Sequence, residues 1–281
     1  MLGGVLFGAM TVLVRWALVR GADPIVGGAV VTTTAAMLSA ALALPSLLDR
    51  ASLGELWGFA VVGAVVPGIS QALFIFAVDS AGPSRAAIVV GTAPLLSIGI
   101  ALAILNEAFE PALLIATILV VAGGAALATE RSRPPDFRVI GILLAFSCAF
   151  LFALRDNAVR WLARDAAVAP LVATAVTLCT AAVVMVVYAL VARRGVVRAV
   201  LPATIRAFLP AGIVLALAYA ALVTAFDRGR VSVVAQLNAT QSLWGLVFAA
   251  LVFGRAEAIG RRTVLAGALI VAGSAIVGAV R

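Results

Sequence analysis

Val14-Arg15-Trp16, followed by Pro24-Ile25-Val26, Ala29-Val30 and Thr34-Ala35-Ala36, returns in the second half as Val159-Arg160-Trp161, Pro170-Leu171-Val172, Ala175-Val176 and Thr180-Ala181-Ala182. The shift is about 145 to 150 residues. It persists downstream: Asp79, Ser84 and Thr92 match Asp227, Ser232 and Thr240 at an offset of 148, and Glu107 and Gly123 match Glu257 and Gly273 at 150. Self-similarity on this scale means one structural unit used twice. The units are residues 1–130 and 131–281.

What each unit contains follows from hydropathy. Of 281 residues, 64% are hydrophobic and 11% charged, against about 25% charged in a soluble domain. Polar breaks leave ten apolar runs, 1–19, 25–48, 56–78, 84–105, 110–129, 138–162, 168–192, 207–226, 231–254 and 261–280. At about 20 residues per crossing, ten helices use about 200 residues and leave about 81 for the connections and ends. The runs lack period-2 alternation and are about twice the length of a tilted barrel strand, so strands are a poor alternative. The first run has neither a charged start nor a small-residue cleavage site, and reads as a helix rather than a signal peptide. It is shorter at its start than its repeat partner, so the chain is expected to begin inside a longer one. The expected fold is an all-α membrane protein of ten transmembrane helices. Because five is odd, the two five-helix repeats enter the bilayer from opposite sides, the inverted arrangement of alternating-access carriers.

The ionisable inventory removes whole chemistries. All 20 basic residues are arginine and there is no histidine, so histidine-based triads, lysine Schiff bases and histidine-ligated metals are unavailable. Cys148 and Cys179 fall in different runs and read as apolar fillers. No cofactor is expected. The net charge of +8 sits mostly at the ends of apolar runs, where arginine meets lipid headgroups, so the expected partners are the bilayer and a small-molecule substrate, not nucleic acid. Nothing in the sequence requires an oligomer.

Ser97 and Glu107 following Pro94 in the fourth run, Val121-Ala122-Gly123 in the fifth, and Gly267-Ala268-Leu269-Ile270-Val271-Ala272-Gly273 in the tenth resemble the motifs of the EamA family of the drug/metabolite transporter superfamily. The resemblance covers nearly the whole chain. Departures are Ser242 at the place of the fourth-run proline, Glu257 two residues late, and Thr32-Thr33-Thr34 where many relatives carry arginine. The resemblance implies a ten-helix exporter of small metabolites or drug-like molecules, with helices 1–4 and 6–9 around a central cavity and 5 and 10 outside. It also implies a bacterial inner membrane and cytoplasmic termini. Assigning arginines to connections instead gives 13 on the side of loops 1–2, 3–4, 5–6, 7–8 and 9–10 and 7 on the other, and the positive-inside rule alone puts both termini outside. Small-xxx-small spacings in the fifth and tenth runs, such as Ala122/Ala126 and Ala268/Ala272, suit close packing in lipid.

Polar side chains at membrane depth face a neighbour or a water-filled space, so they map the candidate site. Gln236, Asn238, Thr240, Gln241 and Ser242 crowd the ninth run. Asn238, Gln241 and Trp244 share a face at i, i+3, where amides and an indole can hold a polar or aromatic solute. Gln71, three residues before Phe74, maps onto Tyr219, and Thr92 and Ser97 bracket Pro94. The substrate-binding expectation is therefore Gln71, Phe74, Thr92, Ser97, Tyr219, Asn238, Gln241 and Trp244. Pro67-Gly68 and Pro94 are expected to free backbone carbonyls and kink the third and fourth helices. Arg155-Asp156-Asn157 is a charged cluster inside the sixth run. Adjacent side chains point about 100° apart on a helix, so Arg155 and Asp156 are expected to find separate partners, as coupling or gating residues. Asp156 reads either as a proton-coupling carboxylate or as an interfacial residue reaching water. Arg15 and Arg160, each before tryptophan, read as headgroup anchors, and Asp79 and Asp227 as caps or arginine partners. Some relatives export amino acids, which the mixed polar and aromatic set suits. The alternatives are a drug or cation exporter and a passive pore; an intramembrane enzyme lacks the paired acid–base groups it would need.

Overall fold

A computed structural model describes residues 1–50, 53–81, 89–105, 107, 110–127, 139–165, 168–253, 265, 267–273 and 276. The expectations placed on the Asp79 and Ser242 side chains, Ser84 and Glu257 lie outside the described residues. The described residues form α1 (Leu2–Val19), α2 (Pro24–Arg50), α3 (Leu53–Gly63), a π-turn (Ala64–Ile69), α4 (Ser70–Ala81), α5 (Ala93–Ile104), α6 (Pro111–Leu127), α7 (Val139–Asp165), α8 (Pro170–Ala192), α9 (Val197–Arg228), α10 (Val231–Ala239) and α11 (Gln241–Phe253). Residues 267–273 are also helical, and no strand occurs among the described residues. Among the described residues, six stretches are long and apolar enough to cross a bilayer, namely Leu2–Val19, Pro24–Ser46, Leu56–Phe74, Val139–Arg164, Pro170–Ala192 and Val197–Arg228, with shorter apolar helices at Ala93–Ile104 and Pro111–Gly123.

Local chemistry sets the ends. Pro24, Pro111 and Pro170 open α2, α6 and α8, where a missing N–H costs nothing. Gly21, at φ +82 with open space around it, turns the chain out of α1 and lets the Gly21 N–H donate to the Leu18 carbonyl. Here the backbone angle, not crowding, calls for glycine.

Three runs are interrupted. Winding loosens at Ala64–Ile69, where Val66 is extended and precedes Pro67, so the expected break at Pro67-Gly68 is present. Pro94 lies instead in the first turn of α5, where proline is tolerated and bends nothing. The ninth run, expected as one helix, is split at Thr240 into α10 and α11. Its repeat partner Thr92 marks the same break before α5. At both, the hydroxyl donates to the carbonyl three residues back, Thr92 to Val89 and Thr240 to Leu237, each at 2.7 Å, which competes with the helical ladder. α9 begins ten residues before its apolar run because its first turns lie beyond the purely apolar stretch.

Lipid supplies no hydrophobic drive between helices, so close backbone approach and interdigitation hold the bundle. α2 packs along α8, and both contact α9; α1 packs against α9 and α11, α8 against α3 and the π-turn, and α7 against α4 and α5. All of these contacts except that of α8 with α9 interchange when each run is swapped for its repeat partner. Ile25 and Ala29 of α2 pack on Met185 and Ala189 of α8, and Asp23 before α2 pairs with Arg193 after α8 at 2.7 Å. The start of α2 thus meets the end of α8, and the two run antiparallel. Likewise Glu107, just past α5, accepts from the Val231 and Ser232 N–H groups that open α10, at 2.7 and 3.2 Å. α6 packs on α5, α10 and α11, and a Cβ at Gly273 would press on the Ala116 carbonyl of α6.

Asp23 also caps α2, accepting from the Ile25 and Val26 N–H groups at 2.8 and 3.0 Å. Burial pushes its carboxyl up, but these donors and Arg193 outweigh that and hold it below the ordinary carboxylate value. A depressed folded value adds stability above the ordinary carboxylate range that disappears as pH falls through the folded value. Asp23→Ala is expected to cost about 1 kcal/mol at neutral pH. In melting curves recorded down the pH scale, the gap between wild type and variant should close in acid; a gap independent of pH would contradict the assignment.

Candidate functional site

α7 carries its charged triplet about 15 Å from its own end at Asp165, roughly half of a 30 Å hydrocarbon core. Both charges are largely buried, and the residues satisfy them among themselves. Arg155 Nε and Nη2 both donate to Asp156 Oδ1, at 2.9 and 2.7 Å. The expectation of separate partners is corrected: the arginine side chain is long enough to fold back onto its neighbour, and an unpaired charge at this depth is costlier than the bend. Asp156 is buried, so the interfacial reading is corrected too.

The pair ties three helices together. Ser97 Oγ on α5 donates to Asp156 Oδ2 at 3.1 Å. Arg155 Nη1 donates to the Tyr219 hydroxyl on α9 at 3.4 Å. The guanidinium carbon lies 5.4 Å from the Phe152 ring and 5.9 Å from the Tyr219 ring, and Tyr219 meets Phe7 of α1 edge-to-face. Asn157 Nδ2 donates to the carbonyls of Ser97 at 3.1 Å and Ala153 at 2.9 Å. Its Oδ1 is buried with no hydrogen-bond partner. The cluster therefore presents an acceptor end, Asp156 and Asn157, and a donor end, Arg155 and Tyr219.

Ser97, Tyr219, Arg155 and Asp156 of the expected site are brought together. Asn238, Gln241 and Trp244 lie on elements packed against α1. A Cβ at Gly3 would lie 3.3 Å from Asn238 Oδ1, and one at Gly8 would meet the Gln241 carbonyl and Trp244 Cβ. Asn238 Oδ1 is buried without a partner, and the Trp244 ring tilts on Phe248. Gln236 donates to the Leu113 carbonyl of α6 at 3.0 Å, a helix-to-helix tie. Phe74 packs near Ala77, Leu144 and Ala145. Thr92 is engaged with its own turn, and Gln71 is half-buried without a hydrogen bond to the described residues. Asn157 was legible as a polar residue at depth; Phe7 and Phe152 carried no signal, since aromatic rings are ordinary in apolar runs.

Polar ties cluster on the side where α7 ends. Arg160 Nη1 donates to the carbonyls of Phe226 and Asp227 at 2.8 and 2.6 Å, so the headgroup-anchor expectation is corrected: it caps the end of α9, whose last carbonyls lack helical donors. Arg164 reaches the Leu105 carbonyl at 3.3 Å. Ser232 Oγ donates to Glu107 at 2.6 Å, and Arg230 pairs with Glu110. Cys148 and Cys179 are free.

Paired charges held between apolar helices mark a candidate functional site in a membrane protein. The EamA-like transporter family model matches residues 1–129 and 139–279. The chain belongs to that family. A solved structure described only as the crystal structure of a protein aligns with 99% of this chain and 96% of its own, at a TM-score of 0.75 and 21% identity, which establishes a shared fold. No curated protein sequence matches the chain.

Proposed function

We propose that this protein is a secondary carrier that exports small organic metabolites such as amino acids, its two five-helix repeats, inverted and ten spans in all, exposing a central site alternately to each side. The carrying observation is the cluster of Arg155, Asp156, Ser97 and Tyr219, which joins α5 of the first half to α7 and α9 of the second at mid-depth. Inversion is supported by the antiparallel packing of repeat partners: α2 on α8 through Asp23 and Arg193, and α5 on α10 through Glu107. Equivalent helices running opposite ways are related by a two-fold axis in the membrane plane. The polar ties at Arg160, Arg164 and Glu107 hold one side closed, and rocking of the halves would exchange which side is closed. We place the protein in a bacterial inner membrane, as a monomer with cytoplasmic termini.

Proteoliposomes loaded with amino acids, nucleosides or cationic drugs test this reading. Saturable counterflow of an amino acid supports it; saturable flux of cationic drugs alone favours a drug exporter, and linear flux of every solute a pore. Combining Gln241→Ala with Tyr219→Phe is expected to weaken substrate affinity about tenfold, by loss of two hydrogen-bonding groups, with an unchanged elution profile. Wild-type affinity would remove both residues from the site. If Asp156 couples export to protons, Asp156→Asn abolishes stimulation by a pH gradient, and retained stimulation rejects that role.

A further inference from the structure

The proposed site contains one fixed positive and one fixed negative charge, and their arrangement decides more than packing. Arg155 and Asp156 are adjacent in sequence, bonded to each other, and 11% and 8% exposed at their side chains. Among the described residues, no other charged side chain bonds to either of them. Taken as a unit, the pair carries no net charge. A solute that brought a single charge beside it would add an uncompensated charge at mid-depth, where the bilayer opposes it. A solute with both signs, or none, would not.

The pair also leaves hydrogen-bonding capacity unspent. Asp156 offers its carboxylate beside the unpartnered Asn157 Oδ1, both meeting α5 at Ser97. Arg155 has donors beyond those spent on Asp156 and Tyr219, and the Tyr219 hydroxyl, which accepts from Arg155, keeps its own hydrogen to donate.

Resting on the carrier reading above, we propose that the Arg155–Asp156 pair sets the charge class of the transported solute: it admits net-neutral molecules, zwitterionic or uncharged, and rejects those with a single net charge. A lone charge gains at one end of the pair only part of its attraction, because the other member, bonded to the first, opposes it. The selection lies in the sum of the pair, so removing one member leaves a preference for solutes charged opposite to the member that remains. Arginine cannot discharge in a protein; Asp156→Asn therefore leaves a permanent positive charge. At about 6 Å and an effective dielectric of about 20, one unit charge shifts binding by on the order of a hundredfold.

Binding of three near-isosteric probes to purified protein tests this: phenylalanine, a zwitterion; phenylalaninamide, a cation; and N-acetylphenylalanine, an anion. Wild type is expected to bind phenylalanine at least tenfold more tightly than either ion. Asp156→Asn is expected to prefer N-acetylphenylalanine by at least tenfold, and the double variant Arg155→Gln/Asp156→Asn to lose that preference. An Asp156→Asn protein too unstable for titration is read by melting temperature, which the anion, and not the cation, should raise. If Asp156→Asn keeps the wild-type order, or gains no affinity for the anion, the proposal is overturned. If wild type binds none of the three while Asp156→Asn takes the anion and the double variant does not, the charge rule stands and the amino-acid reading falls.

Discussion

Alanine at Asp156 is expected to cost about 3–5 kcal/mol, the usual result of removing one partner of a buried ion pair. Arg155 Nε and Nη2 would lose their shared acceptor and Ser97 Oγ its partner at 3.1 Å, while the arginine stays charged and largely buried. The cost lies in the orphaned charge rather than in the broken hydrogen bonds. Replacing both residues, as Arg155→Met with Asp156→Leu, is accordingly expected to recover most of the stability, since apolar substitutes for a buried pair are often neutral. Thermal melts of the purified single and double variants check both statements. A single-variant loss within 0.5 kcal/mol, typical of surface substitutions, would mean that the pair is solvated, and the mid-depth site would lose its basis.

Alanine at Gly63 is expected to be comparably severe. A Cβ there would stand 2.0 Å from the Thr177 carbonyl oxygen and 2.3 Å from Thr180 Oγ1. The obstruction is α8 backbone, which cannot rotate aside as a side chain does, so α3 must separate from α8. Overpacking of this kind costs about 3 kcal/mol or more, and close backbone approach is what holds helices together in lipid. Gly99, inside α5, has nothing within 4 Å of its would-be Cβ. Gly99→Ala is expected to be neutral or to stabilise by up to about 1 kcal/mol through helix propensity. Equal melting temperatures for the two variants would refute the packing account.

Several features were legible because they depend on local chemistry or on repetition. The break at Pro67-Gly68 follows from the absent proline N–H, and the membrane class follows from the scarcity of charge. The repeat singles out Glu107, Ser232, Thr92 and Tyr219 without reference to any contact. The EamA resemblance is likewise carried by short motifs whose order, more than their content, is specific. The break at Thr240 is harder to read, because a threonine inside an apolar run looks like any other until its hydroxyl is seen on the Leu237 carbonyl.

The failures share a cause. Helical angles alone give Arg155 and Asp156 separate partners, yet their side chains span that angle when burial penalises every other arrangement. Arg160 resembles a lipid anchor beside Trp161, but α9 ends against it and supplies two carbonyls.

By itself, the amino-acid sequence determined that the chain is helical, bilayer-embedded and duplicated, because hydropathy, proline chemistry and self-similarity are properties of a chain read along its length. Only the tertiary structure decided which polar groups share the interior: Ser97 with Asp156, Arg155 with Tyr219, Glu107 with the start of α10. Those partners lie some 60 to 125 positions apart, and the free energy of pairing charges away from water depends on distance in space, which no local pattern records.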